Sequence, residues 1–134
     1  MTLRNGVYIV AFHLPKAQNI SVGKLGRACF QKGTYLYVGS AQRNLQARLR
    51  RHGRKKKPLR WHVDYLSSRA QMIGAVAFEG PREYECELAK KLGEMFETVM
   101  PGFGASDCRC GGHLFYAAEP SKDIESTLNR ICCG

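Results

Sequence analysis

The sequence predicts an α/β fold in which a small, mainly antiparallel central sheet is flanked by helices. The chain has 134 residues, the size of one domain with one core. Stretches rich in branched and aromatic residues alternate with stretches whose apolar residues recur at helical spacing. A glycine-containing turn joins two of the strand-like stretches. We therefore expect residues 1–134 to form a single domain.

The composition is that of a soluble protein. Hydrophobic residues make up 44% of the chain and charged residues 24%, and no apolar run approaches the roughly 20 residues that span a bilayer. The start of the chain lacks the pattern of a secretory signal. We therefore expect a cytoplasmic location without membrane contact, and we interpret the six cysteines as reduced thiols.

The first predicted strand covers residues 6–12, which are rich in branched and aromatic side chains. Because successive strand residues point to opposite faces, Tyr8 faces away from its two apolar neighbours. Pro15 and the polar residues after it predict a loop that lasts until Ser21.

A second group of strands leads into the first predicted helix. Short strands separated by glycines are expected between residues 21 and 36, and residues 31–33 have the composition of a hairpin turn. The strand at residues 35–38 is then expected to turn at residues 39–40. A helix follows and ends near Gly53.

The apolar face of this helix carries two polar side chains. Steps of about 100° per residue place five side chains within one arc: Ala41, Leu45, Arg48, Leu49 and His52. Arg48 cannot lose its charge, so it needs an anionic partner or an open cleft on this inward face. The pattern therefore predicts a site here.

Two more helices and a strand follow. A short helix is predicted for residues 61–68 and a strand for residues 72–78. Pro81 marks the start of a third helix. On that helix Glu85 shares the arc of the apolar residues, whereas Glu87 lies outside it. Glu85 is therefore expected to point inward.

The C-terminal part is predicted as a turn-rich loop at residues 101–107, a strand at residues 113–117 and a helix at residues 121–130. Asp107 in the loop is a candidate second carboxylate near a metal, and a local role in the turn is the alternative.

A zinc site is a separate possibility for this region. Its candidate ligands are Cys108, Cys110 and His113, joined by Cys132 or Cys133. The paired spacing typical of zinc sites is absent, so small buried thiols and a turn are the alternative.

The net charge of +10 is concentrated in one block. Nine cations and no acid lie between Gln42 and Val63: Arg43, Arg48, Arg50, Arg51, Arg54, Lys55, Lys56, Lys57 and Arg60. Such a block attracts polyanions, which indicates a nucleic-acid partner, and a basic surface that serves solubility is the alternative.

Four motifs together resemble the GIY-YIG nuclease superfamily. They are GVY at residues 6–8, YVG at residues 37–39, LxxRxxxH at residues 45–52 and ExxL at residues 85–88. The whole chain, including PGFGASDC and HLFY near its end, is similar to a prokaryotic branch of that superfamily. Members of this branch are sometimes fused to DNA glycosylases of the endonuclease III type.

The resemblance implies phosphodiester hydrolysis with one divalent cation, Mg²⁺ or Mn²⁺. By this resemblance Glu85 is the metal ligand, Tyr8 the general base and Arg48 the residue that holds the scissile phosphate. Tyr37 helps to shape the site, and His52 assists proton transfer. The spacing between the two motif tyrosines is longer than in many members, which implies an extra strand or loop.

The favoured function is a DNA endonuclease, in repair, with RNA as the alternative substrate. Eight cations would hold the nucleic-acid backbone: Arg43, Arg50, Arg51, Arg54, Lys55, Lys56, Lys57 and Arg60. One alternative is a non-catalytic nucleic-acid-binding module that serves a partner repair enzyme. Another is a zinc-stabilised interaction domain.

Two further alternatives concern single residues. A buried ion pair between Arg48 and Glu85 would explain both side chains without a substrate. Trp61, with His62 and Asp64, is a candidate stacking and phosphate-contacting patch, and a core anchor is the favoured role for Trp61.

Overall fold

The fold is an antiparallel sheet of five strands flanked by three helices, which confirms the predicted fold class. The computed structural model describes residues 5–104 and 111–117. In chain order the strands are β1 (Gly6–Leu14), β2 (Gln18–Ser21), β3 (Arg27–Phe30), β4 (Gly33–Ala41), β5 (Gln71–Phe78), β6 (Glu97–Thr98) and β7 (Leu114–Ala117). The helices are α1 (Leu45–Gly53), α2 (His62–Ser67) and α3 (Tyr84–Met95), and a 3₁₀ turn covers Gly23–Leu25.

The main sheet has the strand order β5-β1-β4-β7-β6, and β2 and β3 form a separate two-stranded sheet. All neighbouring strands pair antiparallel. The two longest strands, β1 and β4, pair along their whole length, from Gly6 opposite Ala41 to Leu14 opposite Gly33. This central ladder is the frame on which the candidate site is built.

Apolar side chains cover both faces of the sheet. On one face Tyr8 lies in a buried cluster with Leu45 of α1 and Leu66 of α2. On the opposite face Val7 lies in a second cluster with Leu92 of α3. The predicted orientation of Tyr8, away from its apolar neighbours, is therefore confirmed.

The helices agree with the sequence patterns within a few residues at their ends. On α1, Leu45 and His52 are buried and Arg48 is half-buried, as the predicted apolar arc requires. On α3, Glu85 is half-buried and Glu87 is exposed, which confirms that Glu85 points inward.

The predicted turn at Gly39 and Ser40 is wrong. β4 continues to Ala41, because β1 offers pairing partners as far as Gly6. The chain then passes through Asn44, whose φ is +49°, before α1 begins. Strand pairing satisfies backbone groups that a local reading of the sequence assigns to a turn.

The segment between Tyr8 and Tyr37 holds two short strands, β2 and β3. The predicted loop is wrong for β2, because these polar residues pair with β3. Residues 31–33 connect β3 to β4, which belong to different sheets, so the predicted hairpin turn there is wrong as well. The actual hairpin joins β2 to β3, and β2 packs against α2.

No helix in the described ranges is both long enough and apolar enough to cross a membrane. The predicted last helix at residues 121–130 lies outside these ranges, as do Asp107, Cys108, Cys110, Cys132 and Cys133.

Candidate active site

Gly39 creates the space in which the Tyr8 phenol lies. The two residues are opposite each other in the β1–β4 ladder. A Cβ atom at Gly39 would lie 2.6 Å from the Tyr8 hydroxyl oxygen, so a larger residue would displace the ring. The next residue, Ser40, points to the other face of the sheet, toward α3. The end of β4 therefore connects groups from both faces.

His52 lies behind Tyr8 in the core. Its Nε2 atom is 2.8 Å from the Tyr8 hydroxyl oxygen, and its ring centroid is 5.7 Å from that of Tyr37. The His52 side chain is only 1% exposed. Burial lowers the pKa of His52 to about 3, so the imidazole is neutral near pH 7. A neutral ring can orient the phenol of Tyr8 by one hydrogen bond.

Both motif tyrosines are neutral phenols unless more positive charge is supplied. Burial raises the pKa of Tyr8 to about 12, although the charge and the hydrogen bond of Arg48 lower it. Burial also raises the pKa of Tyr37 well above its usual value. Proton acceptance by Tyr8 therefore requires an additional cation near its oxygen.

Arg48 brings positive charge to the same place. Its Nη1 atom donates a hydrogen bond to the Ser40 carbonyl oxygen at 3.2 Å. Its guanidinium carbon lies 4.4 Å from the centroid of the Trp61 ring. Among the residues that the structure describes, no ion pair joins Arg48 to Glu85. The structural alternative, a buried pair between these two residues, is therefore not what the geometry shows.

Glu85 is held as a carboxylate in the first turn of α3. One of its oxygens accepts a hydrogen bond from the Ser40 hydroxyl at 2.5 Å. The other lies 2.8 Å from Nδ1 of His113. Burial would raise the pKa of Glu85, but the hydrogen bonds of His113 and Ser40 outweigh it and lower the pKa. The group is therefore ionised at neutral pH.

The donor set at Glu85 fits a hydrated divalent cation. A carboxylate oxygen that accepts one hydrogen bond still has a lone pair for a cation. Residues 5–104 and 111–117 contain no group of three or more His, Cys, Asp or Glu side chains placed to hold a metal ion. Mg²⁺ is often held by one or two carboxylates, with water and substrate oxygens as its other ligands. A cation bound by the single carboxylate of Glu85, with water and substrate oxygens as its other ligands, would match this mode of Mg²⁺ binding.

The four motif residues line one cleft of about 680 Å³: Tyr8, Tyr37, Arg48 and Glu85. His52 is buried and takes part through its contact with Tyr8. The cleft wall also includes side chains from the basic stretch and from the short helix after it: Arg43, Arg60, Trp61 and His62. The arrangement can receive an anionic group between Arg48 and Glu85.

The predicted nucleic-acid contacts divide into two groups. Six side chains are exposed: Arg43, Arg50, Arg54, Lys55, Lys56 and Arg60. Arg51 instead forms a bidentate pair with Asp64, at 2.7 and 2.8 Å. Lys57 donates to the carbonyl oxygens of Arg51 and His52, and burial lowers its pKa to about 8. Arg51 and Lys57 therefore have hydrogen-bond partners within the protein.

The sequence reasoning missed two residues that hold Glu85 and one contact of the cleft wall. The sequence predicts a turn at Ser40 and a candidate zinc ligand at His113, whereas both side chains contact Glu85. His62 accepts a hydrogen bond on Nδ1 from the Gly104 amide at 2.9 Å, which leaves its proton on Nε2. Alternation along β4 could have placed Ser40 on the α3 face. No local signal links His113 or Gly104 to its partner.

Comparison with known proteins identifies one family. No curated protein and no solved structure is significantly similar to the chain. Residues 7–132 match a family described as a domain of unknown function, DUF123. That match covers nearly the whole sequence, from β1 to beyond β7. The chain therefore belongs to the DUF123 family.

Proposed function

We propose that the protein is a metal-dependent DNA endonuclease of the GIY-YIG type, acting in repair in the cytoplasm. One observation carries the proposal. Tyr8, Tyr37, Arg48 and Glu85 come from four separate stretches of sequence, and all four line the same cleft. This convergence supports a common chemical task for the four residues.

The proposed reaction is an attack by water on a phosphodiester. The water oxygen bonds to phosphorus, its proton passes to Tyr8 in its phenolate form, and the bond to the sugar oxygen breaks. The leaving sugar oxygen takes a proton from solvent. Arg48 binds a non-bridging phosphate oxygen and stabilises the charge that develops there. His52 holds the Tyr8 phenol in place from behind. Tyr37 forms part of the cleft wall beside them.

Glu85 is the proposed anchor for Mg²⁺ or Mn²⁺. When bound, the cation supplies positive charge that stabilises the pentacoordinate phosphate. Ser40 and His113 fix both oxygens of Glu85, so the carboxylate presents its remaining lone pairs in one orientation. The pKa of about 12 at Tyr8 makes additional positive charge near this residue a requirement of the proposal.

The exposed cations of the basic stretch supply the proposed binding surface, defined as Arg43, Arg50, Arg54, Lys55, Lys56 and Arg60. Two of them, Arg43 and Arg60, line the cleft. Contacts from such side chains to phosphates position a duplex or a single strand without reading its sequence. We therefore expect binding that depends strongly on salt and weakly on sequence.

A second candidate is a non-catalytic module that binds nucleic acid for a partner enzyme. The burial of Tyr8 favours this candidate, because it raises the pKa of Tyr8 to about 12 and keeps the phenol protonated. Both candidates use the same binding surface, so they differ only in whether the cleft performs chemistry.

Cleavage assays with matched variants separate the two candidates. The proteins are wild type, Tyr8→Phe, Glu85→Gln and, as control, Glu87→Gln, which makes the same change at an exposed position of α3. The substrates are single-stranded, duplex, nicked and branched DNA with Mg²⁺, with Mn²⁺ or with a chelator. Metal-dependent cutting that only Tyr8→Phe and Glu85→Gln lose supports the nuclease. Equal salt-dependent binding by all four proteins without cutting supports the binding module.

A further inference from the structure

Arg48 has little direct support for a residue that must hold a phosphate. Its long side chain has many rotamers, and fixing it costs conformational entropy. In the described part of the chain it donates hydrogen bonds to the Ser40 carbonyl at 3.2 Å and to the Tyr8 hydroxyl, and neither partner is charged. A carboxylate partner would fix the guanidinium but would also occupy its donors and offset its charge.

Trp61 contacts the guanidinium in a way that avoids this conflict. The guanidinium carbon of Arg48 lies 4.4 Å from the ring centroid of Trp61. Such a contact uses the face of the guanidinium and the π-electrons of the ring. The Trp61 contact therefore uses none of the N–H groups at the edge of the guanidinium, and those that do not bond Ser40 or Tyr8 can bind an anion in the cleft.

Trp61 is itself fixed by a buried acid. Arg51 lies against the same ring, with its guanidinium carbon 4.1 Å from the centroid. Arg51 is paired with Asp64, whose side chain is fully buried. Asp64 also accepts the backbone N–H of Trp61 at 2.9 Å, which fixes the start of α2. A continuous set of contacts thus runs from Asp64 through Arg51 and Trp61 to Arg48.

We propose that Trp61 is a positioning residue, which holds the Arg48 guanidinium toward the phosphodiester in the cleft and which Arg51 and Asp64 hold in turn. The role of the phosphodiester rests on the proposed function, whereas the contact between Trp61 and Arg48 does not. In this arrangement the Trp61 ring packs against two guanidinium groups, those of Arg48 and Arg51.

The first test is independent of cleavage. The chain has one tryptophan, so emission excited at a wavelength that its six tyrosines do not absorb reports on Trp61 alone. Arg48→Gln should shift the emission spectrum, and Arg43→Gln should leave it unchanged, because Arg43 lines the same cleft but is exposed. Identical spectra for wild type and Arg48→Gln would overturn the proposal. Circular-dichroism spectra of the variants that match the wild type show that a shift reflects the lost contact and not a folding defect.

The second test measures catalysis on the DNA that the wild type cleaves. Trp61→Leu should lower kcat about 10-fold with little change in KM, and Trp61→Phe should stay within about 3-fold of wild type because it keeps an aromatic face. In an Arg48→Lys background, Trp61→Leu should have a much smaller effect on kcat. Equal losses in both backgrounds would assign Trp61 a general structural role and overturn the proposal.

The two tests also separate this inference from the proposed function. A shifted emission spectrum together with no cleavage of any DNA by the wild type would reject the nuclease and keep the Trp61–Arg48 arrangement. Cleavage together with an unshifted spectrum would reject the positioning role alone.

Discussion

The hydroxyl of Tyr8, a residue that lines the cleft, lies 2.8 Å from Nε2 of the buried His52. The partner of the proposed general base is therefore a buried imidazole. Nδ1 of His52 has no hydrogen-bond partner in residues 5–104 and 111–117. Protonation of this ring would place a charge in the core beside the nearby cations, of which Lys57 has the largest effect on its pKa.

This arrangement predicts a loss of stability in mild acid. The folded-state pKa of His52 is about 3, below its ordinary value of 6.5. Below about pH 6.5 the His52 side chain therefore binds a proton in the unfolded state but not in the folded state. The contribution of neutral His52 to the free energy of unfolding is fully present above that pH. It falls by up to about 1.4 kcal/mol per pH unit as the pH decreases. Urea unfolding at several pH values would measure this slope.

His52→Gln is the matched variant for this prediction, because glutamine does not titrate. Its free energy of unfolding should change less between about pH 7 and pH 5 than that of the wild type. Burial also lowers the pKa of His62, but that residue is present in both proteins, so the difference isolates His52. Parallel pH profiles for the two proteins would contradict the prediction.

Replacing Gly39 by alanine should disturb the Tyr8 phenol. The added Cβ would lie 2.6 Å from the hydroxyl oxygen, in a part of the sheet that is buried on both faces. We expect a loss of about 1–3 kcal/mol in the free energy of unfolding, the usual cost of an overpacked core. Denaturant titration would measure it. The control is Gly74→Ala, whose Cβ would meet no atom within 4 Å and should leave stability unchanged or slightly higher.

Arg51 and Arg50 are neighbours in sequence, but only one of them is expected to support the fold. Arg51→Gln removes the bidentate partner of the buried Asp64 carboxylate, and we expect a loss of roughly 2–4 kcal/mol in stability. Arg50 is exposed, so Arg50→Gln should change stability by less than about 0.5 kcal/mol. Thermal and chemical unfolding of both variants would test this, and equal stabilities would remove Arg51 from its structural role.

The binding surface makes a prediction for the salt dependence of DNA affinity. Each phosphate contact contributes about −0.9 to the slope of log K against log salt. Replacing both Lys55 and Lys56 by glutamine should therefore make that slope less negative by up to about 1.8. The same double change at Lys90 and Lys91, exposed on α3, is the control. Affinity measured at several salt concentrations decides the matter. If the control pair changes the slope as much, binding is diffuse and not centred on this surface.

The sequence predicts the local part of this structure well. Helical periodicity places Arg48, His52 and Glu85 on inward faces because it depends only on residues within a few turns. The limits of β4 and the existence of β2 escape local reading, because pairing with distant strands decides both. Composition identifies the basic block, but it cannot show that Arg51 turns inward to a partner on another helix.

In the candidate site, too, the local features can be predicted from the sequence and the long-range contacts cannot. Each motif residue can be named from the sequence, whereas the side chains that hold it come from elsewhere in the chain. Glu85 on α3 is bonded by Ser40 from β4 and by His113 from the residue before β7. Hydrogen bonds between distant side chains leave no periodic pattern, so a sequence alone does not reveal them.

The Ser40 hydroxyl therefore has a measurable effect that the sequence did not suggest. Removal of its hydrogen bond by Ser40→Ala should raise the pKa of Glu85, because this bond stabilises the charged carboxylate. The low pKa of Glu85 stabilises the fold above about pH 4.5, the ordinary pKa, and this stabilisation is lost as the pH falls below it. Ser40→Ala should therefore reduce the acid sensitivity that Glu85 contributes.

Carbon NMR titration of the Glu85 carboxyl in metal-free protein would give the pKa directly. Ser40→Thr keeps the hydroxyl and should keep the low pKa of Glu85. The control is Ser68→Ala, which removes a hydroxyl that donates to a backbone carbonyl on α2 and should leave the Glu85 pKa unchanged. An unchanged Glu85 pKa in Ser40→Ala would mean that His113 alone holds the carboxylate in its charged form.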